Sequence, residues 1–222
     1  MSNPDSFIDE VTEEVRRDRL FGAFRRYGWI SIVLVVGIVG GAAYSEWQKS
    51  TRTAAAKAFG DKVIAALDAT GGPERQQALA AIDASGEQGA LVRLLAASAA
   101  LEGGDEAARK ASADLLAEVS ADASLSPLWR DLADLRRVMA LGQAMPLADR
   151  RAILHAIAAP GRPYRTLAQE QLALLALEQG DRDGARSMLS ALVTDQDSPA
   201  GLRQRAAQLI VVLGGDVPPT GG

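Results

Sequence analysis

Residues 172–199 read LALLALEQGDRDGARSMLSALVTDQDSP, a stretch typical of two helices joined by a tight turn. Helix-favouring Leu, Ala and Glu fill its first half, Gly180-Asp181 marks the turn, and Ser198-Pro199 ends the second helix. The small side chain of Ala185 lies where the second helix is expected to cross the first. A helix hairpin cannot bury its apolar face alone, so this unit predicts neighbours of the same kind.

The turn motif recurs at a fixed interval along the chain. Residues 101–105 (LEGGD) resemble residues 177–181 (LEQGD), and Gly142 lies midway, 38 residues from the equivalent glycine on either side. This period lies between the roughly 34 residues of tetratricopeptide repeats and the roughly 40–47 residues of HEAT-type repeats. The third unit fits the tetratricopeptide pattern best, and the register of the middle unit, residues 126–158, stays open by one residue.

Beyond residue 47, apolar periodicity broken by Gly and Pro predicts a series of short helices. No stretch alternates as a half-buried strand would. Hydrophobic residues make up 48% of the chain but aromatic residues only 5%, which favours closely packed helices. The predicted helices cover residues 48–69, 74–84, 88–102, 105–120, 126–142, 147–158, 164–179, 182–194 and 199–213.

An uncharged run, YGWISIVLVVGIVGGAAYS, extends over 19 residues from Tyr27 to Ser45. A membrane-spanning helix needs about 20 residues, and aromatic side chains at both ends suit the two headgroup regions. The run therefore predicts a transmembrane helix over residues 27–47. A cleaved signal peptide ending near residues 41–43 is the alternative, but 28 residues that include six acidic ones precede the apolar run.

The flanking charges predict how this span is oriented. Five arginines lie between residues 16 and 26, against three basic residues between residues 49 and 57. Because Lys and Arg resist translocation, we expect the N-terminus in the cytoplasm and the rest of the chain outside the cytoplasmic (inner) membrane. Gly37 and Gly41 form a small-residue face that suits packing against a membrane partner or a second copy, although such residues are common in membrane helices anyway.

The predicted fold is all-α, with a single N-terminal transmembrane helix followed by a tetratricopeptide-like stack of helix hairpins. Residues 1–26 form a cytoplasmic amphipathic segment, which either lies on the membrane through its arginines or docks a partner. Residues 48–213 form the periplasmic repeat domain, and the Gly- and Pro-rich residues 214–222 are expected to be disordered.

Composition argues against catalysis. The chain has no Cys and one His, which excludes thiolate metal sites, a cysteine nucleophile and a multi-histidine metal site. His155 lacks an evident catalytic partner and is expected at the surface. The net charge of −4 gives no attraction to nucleic acid. We predict no enzyme activity, no cofactor, no metal and no small-molecule substrate.

Several features together resemble a known family. They are the basic-ended N-terminus before the span, the Ala-rich residues 51–59 after it, Gly89-Ala90-Leu91 opening a helix, and residues 180–186 (GDRDGAR). The chain resembles the tetratricopeptide-repeat ancillary subunit of the bacterial Sec translocon, the YfgM type. The resemblance implies a membrane-anchored, periplasm-facing scaffold or co-chaperone that binds SecYEG subunits and a membrane-anchored prolyl-isomerase-like chaperone. The alternative is a repeat scaffold for another envelope process, such as cell division or heme-pathway organisation.

A curved stack of this kind offers a concave surface to a partner helix or an extended segment. The pattern places four candidate positions on the first helix of each unit. They are Leu91, Leu94, Ser98 and Leu101, then Trp129, Leu132, Arg136 and Met139, then Leu167, Glu170, Leu174 and Leu177. The predicted partner-binding groove is formed by Leu91, Leu94, Trp129, Leu132, Arg136, Leu174 and Leu177. The alternative is that the leucines are core, that Trp129 fills a gap between repeats and that Arg136 is solvated.

Overall fold

The computed structural model describes residues 4–219, and it describes side chains for residue 29 and for residues 33–219. Within these residues the chain forms nine α-helices and no β-strand, so the all-α prediction is confirmed. The helices are α1 (Pro4–Leu67), α2 (Gly72–Ala80), α3 (Gly86–Ala100), α4 (Glu106–Ala121), α5 (Pro127–Leu141), α6 (Leu147–Ile157), α7 (Arg165–Glu178), α8 (Arg182–Thr194) and α9 (Ala200–Val212). Short 3₁₀ turns at Leu101–Gly103 and Gly142–Ala144 extend α3 and α5.

The chain divides into two compact units, Met1–Asp61 and Lys62–Gly222. The first unit consists of α1 as far as Asp61, and α1 joins the predicted N-terminal helix, the predicted span and the first predicted repeat helix without a break. The apolar side chains of residues 33–36, 38 and 39 are between 57% and 64% exposed.

Within the described residues, no helix combines the length and the apolar character needed to cross a membrane. The side chains of residues 1–28 and 30–32 lie outside the described part of the chain, and they include much of the uncharged run. The predicted span and the predicted amphipathic pattern of residues 1–26 therefore stay predictions.

Helix α2 is the element whose predicted bounds differ most from the structure. We expect residues 74–84 from the sequence, because Gly71-Gly72-Pro73 looks like a break. The helix instead begins at Gly72 and ends at Ala80, with Pro73 inside its first turn. Proline is tolerated there because the first N–H groups of a helix have no intrahelical partner.

In the second unit, successive helices from α2 to α9 pack against one another. The glycine between the two helices of each unit has a positive φ, 70° at Gly104, 49° at Gly142 and 81° at Gly180. This left-handed conformation ends a helix sharply and favours glycine. The three glycines lie 38 residues apart, so the repeat period is confirmed and the register of the middle unit is resolved.

The same joints explain why the middle unit fits the pattern least well. Asp105 and Asp181 follow their glycines and cap α4 and α8, accepting backbone hydrogen bonds at 2.7 and 2.9 Å. These caps agree with the predicted turn and cap roles of the two aspartates. In the middle unit Pro146, not an aspartate, precedes α6.

Three clusters of buried apolar side chains hold the described part of the stack together. One joins α3, α4 and α5 around Leu116, one joins α5, α6 and α7 around Leu154, and one joins α7, α8 and α9 around Leu189. Ala185 is fully buried at the predicted crossing of α7 and α8, where a small side chain lets the helices approach. After α9, residues 215–219 have no regular secondary structure.

Candidate functional site

We call α3, α5 and α7 the A helices, since each is the first helix of its repeat unit. Residues one period apart occupy equivalent positions on these helices, so the twelve predicted groove residues form four rows of three. The rows, in order along the helices, are Leu91, Trp129 and Leu167; Leu94, Leu132 and Glu170; Ser98, Arg136 and Leu174; and Leu101, Met139 and Leu177. The four rows differ in exposure, which decides which of them can meet a partner.

The first two rows contribute largely to packing between the helices. Leu94 is 3% exposed within the α3–α5 cluster, and Trp129 and Leu132 pack against that cluster while partly buried. Glu170 is buried and binds Arg205 of α9. These positions hold the stack together, whereas Leu91, also in the first row, lies exposed at its edge.

The last two rows line an accessible surface. Met139 is 59% exposed and Leu174 is 38% exposed, while Ser98, Arg136 and Leu177 are partly buried. The predicted residues Arg136, Leu174 and Leu177 thus lie near the C-terminal ends of the A helices. Ser98, Leu101 and Met139 occupy the equivalent positions on their own helices.

Two neighbouring cavities open along these rows and share Met139 as a wall. The first cavity has a volume of about 490 Å³ and is lined by Leu101, Gly104, Arg109, Arg136, Met139 and Ala140. The second cavity has a volume of about 360 Å³ and is lined by Val138, Met139, Gly142, Arg150, Leu154, Gln171, Leu174, Leu175 and Glu178. Together they form what we call the A-helix groove.

Arg136 projects into the first cavity from the middle A helix. Its guanidinium donates one hydrogen bond to the Leu94 carbonyl at 3.3 Å and another to the Ser98 hydroxyl, which itself donates to the same carbonyl at 3.0 Å. Partial burial lowers the pKa of Arg136, because desolvation disfavours its charged form. Among the described residues no carboxylate forms an ion pair with Arg136.

Arg150 lines the second cavity and has the opposite surroundings. Its two terminal nitrogens donate to the two carboxylate oxygens of Glu178 at 2.6 and 2.8 Å. This bidentate hydrogen bond is the main cause that lowers the pKa of Glu178 and raises the pKa of Arg150. The charge of Arg150 is therefore compensated within the chain.

Other arginines between helices are paired in the same way. They join Arg205 to Glu170, Arg165 to Asp195 and Asp197, and Arg162 to Asp131. Asp131 is nearly buried, and burial raises its pKa while Arg162 opposes that shift. The sequence analysis missed Asp131, although a carboxylate on the apolar face of α5 was the available signal. These pairs connect structural elements and do not line the A-helix groove.

The other predicted sites stand apart from the groove. A Cβ added at Gly37 or Gly41 would meet no other described side chain within 4 Å, so membrane-helix packing there stays a prediction. His155 is exposed on α6, as expected. Within the described residues no group of three or more His, Asp or Glu side chains is placed to hold a metal ion.

No family model, no curated protein and no solved structure matches the chain. The resemblance to the translocon subunit therefore stays a prediction. What the described residues offer for function is the A-helix groove, which presents apolar side chains and one uncompensated positive charge across successive helices. Such a surface is suited to binding a protein segment.

Proposed function

We propose that this chain is a membrane-anchored helical-repeat protein that binds a segment of a partner protein in its A-helix groove. The observation that carries the proposal is the exposure of Met139 and Leu174 beside partly buried Arg136, on equivalent turns of neighbouring helices. Apolar side chains repeated at the spacing of packed helices suit a partner segment that crosses several repeats. Binding without chemistry is the activity that this arrangement supports.

The membrane anchor in this proposal is the apolar part of α1. Residues 33–36, 38 and 39 point around the helix and are all exposed. A helix that is apolar on every side requires an apolar environment, and the uncharged run over residues 27–45 matches the thickness of a bilayer. With the arginines before it on the cytoplasmic side, the repeat domain lies in the periplasm at the inner membrane.

The partners in this proposal come from the family resemblance. They are subunits of the Sec translocon and a membrane-anchored periplasmic folding factor, which the chain joins as an ancillary scaffold or co-chaperone. Gly37 and Gly41 provide the face through which α1 contacts a membrane partner or a second copy. A scaffold for another envelope process is the competing function, because helical repeats serve many partners.

Site-specific photocrosslinking in a Gram-negative cell tests the proposal. One photocrosslinking residue replaces Val36 in α1, and a second replaces Met139 in the A-helix groove. Met188, an exposed methionine on α8 outside both cavities, provides the matched control position. Crosslinked proteins are identified by mass spectrometry, and protease access in spheroplasts reports the side of the membrane.

We expect translocon subunits at position 36, a periplasmic folding factor at position 139 and not at position 188, and cleavage of the repeat domain from outside. A repeat domain protected in spheroplasts would contradict the orientation and the co-chaperone role. Equal crosslinking at positions 139 and 188 would contradict the groove. Partners from division or other envelope machinery would favour the competing function.

A further inference from the structure

We infer that the first cavity of the A-helix groove receives an acidic side chain, an Asp or Glu within an otherwise apolar segment of the partner, whose carboxylate binds Arg136. This inference deepens the proposed function and rests on it. It assigns to the groove the chemistry of its occupant, and three observations carry it.

The first observation is the incomplete surroundings of the Arg136 guanidinium. Its two hydrogen-bond acceptors, the Leu94 carbonyl and the Ser98 hydroxyl, are both neutral. An arginine has five N–H donors and a permanent positive charge, so two neutral acceptors leave donors and charge uncompensated. Partial removal from water makes that charge costly, and a carboxylate is the group that offsets the cost best.

The second observation is that the chain supplies carboxylates to arginines elsewhere between its helices. Arg150 binds Glu178, Arg205 binds Glu170 and Arg165 binds Asp195, each through two hydrogen bonds. At Arg136 the residue one repeat earlier, which lies beside it, is Ser98. The position where a carboxylate is expected is therefore left to a ligand.

The third observation is the character of the walls. Arg109 also lines the first cavity, and no acidic residue is among the described lining residues. The remaining wall is apolar or small, through Leu101, Met139 and Ala140. Two positive charges beside apolar carbon select a carboxylate with apolar neighbours. A polyphosphate would need a longer basic stripe, and the chain carries a net charge of −4.

The extent of the groove favours a side chain over a chain end. Arg136 lies on the middle A helix, with Leu101 on one side and Leu174 on the other. A segment that continues in both directions from its acidic residue contacts both cavities, whereas a C-terminal carboxylate would leave one of them empty. In the second cavity Glu178 is already bound by Arg150, so the flanking residue there is apolar.

Affinity selection from a synthetic peptide library tests the inference. The full chain is held in lipid nanodiscs and offered short peptides with acetylated N-termini, built from Leu, Ala, Ser, Glu, Gln and Lys. One half of the library ends in an amide and the other half in a free carboxylate. The chain variants are Arg136→Gln and, as matched control, Arg182→Gln, which removes an exposed arginine outside both cavities.

We expect amidated peptides with Glu flanked by Leu to be selected. Arg136→Gln should weaken binding of the best peptide about tenfold or more, as should Glu→Gln in the peptide, whereas Arg182→Gln should leave it unchanged. The two losses should not add, because both remove the same interaction. The peptide substitution tests the contact on the unaltered chain, so a poorly folded variant would not block the test.

Selection of peptides without Glu, or losses that add fully, would overturn the inference while leaving the groove as a docking site. Selection restricted to free carboxylates would overturn it in favour of a chain end. A chain that selects no peptide would overturn both the inference and the proposed groove.

Discussion

The two cavities of the A-helix groove share Met139 and each contains an arginine, yet the two arginines have different roles. Arg150 and Glu178 come from successive helices and satisfy each other, so the second cavity is electrostatically closed. Arg136 finds only neutral acceptors, so the first cavity remains electrostatically open. The same side chain thus stabilises the stack where the chain supplies a carboxylate, and marks a binding position where it does not.

The comparison predicts that truncating the walls of the two cavities has unequal costs. Leu154 in the second cavity is 1% exposed and belongs to the α5–α7 cluster, whereas Leu101 in the first cavity is partly exposed. Leu154→Ala should lower the free energy of unfolding by about 3 kcal/mol. Leu101→Ala should lower it by about 1 kcal/mol or less. Urea unfolding followed by circular dichroism measures both, and equal costs would contradict the division into a structural and an open cavity.

A smaller effect is expected when the paired arginine is removed. Arg150→Gln leaves the Glu178 carboxylate without its bidentate partner and removes a tie between α6 and α7. We expect the melting temperature to fall by several degrees, since Glu178 is partly exposed and water compensates part of the loss. Thermal unfolding at neutral pH measures the change, with Arg182→Gln as the control that should not shift it.

The pH dependence of stability should change in the same variant. Hydrogen bonding to Arg150 lowers the pKa of Glu178 below its ordinary 4.5, so the stabilisation is present above that pH. It is lost as the pH falls through the lowered pKa. The raised pKa of Arg150 lies above 12.5 and does not affect the acid range. Melting temperatures recorded from neutral to acid pH should therefore fall less in Arg150→Gln than in the unaltered chain, and parallel curves would contradict the pair's contribution.

The smallest effect on stability is expected at Arg136. Gln keeps a donor for the Ser98 hydroxyl, and removing a partly desolvated charge offsets the lost hydrogen bond. The free energy of unfolding of Arg136→Gln should differ by less than about 0.5 kcal/mol from that of the unaltered chain. Urea unfolding checks this value. A destabilisation as large as that of Arg150→Gln would show that Arg136 is a structural residue.

The sequence predicted the helices and their joints well because those signals are local. The glycines at positions 104, 142 and 180 and the aspartates that follow two of them predict where the helices end and begin. The start of α2 was predicted less well, since Pro73 can break a helix or begin one. Only the neighbouring helix α3, which packs against α2, decides between these two roles.

The predicted groove was partly resolvable from the repeat period. Residues 38 apart lie side by side on successive helices, so the contact between Arg136 and Ser98 follows from the period. Period alone does not show which rows are covered by the second helices, and so Leu94 and Leu174 looked equivalent although one is buried and the other is exposed. Nor does it show that Arg150 reaches Glu178, which lies 28 residues away on the next helix.

The division of the buried apolar side chains into three clusters has a mechanical consequence. Each cluster joins only neighbouring helices, around Leu116, Leu154 and Leu189 in turn, within the part of the chain that the structure describes. A pulling force applied between the two ends of the stack acts on these clusters in series rather than on one shared core. The stack should therefore extend in steps under tension, and the cluster with the weakest contacts limits the load that a bound partner can transmit through it.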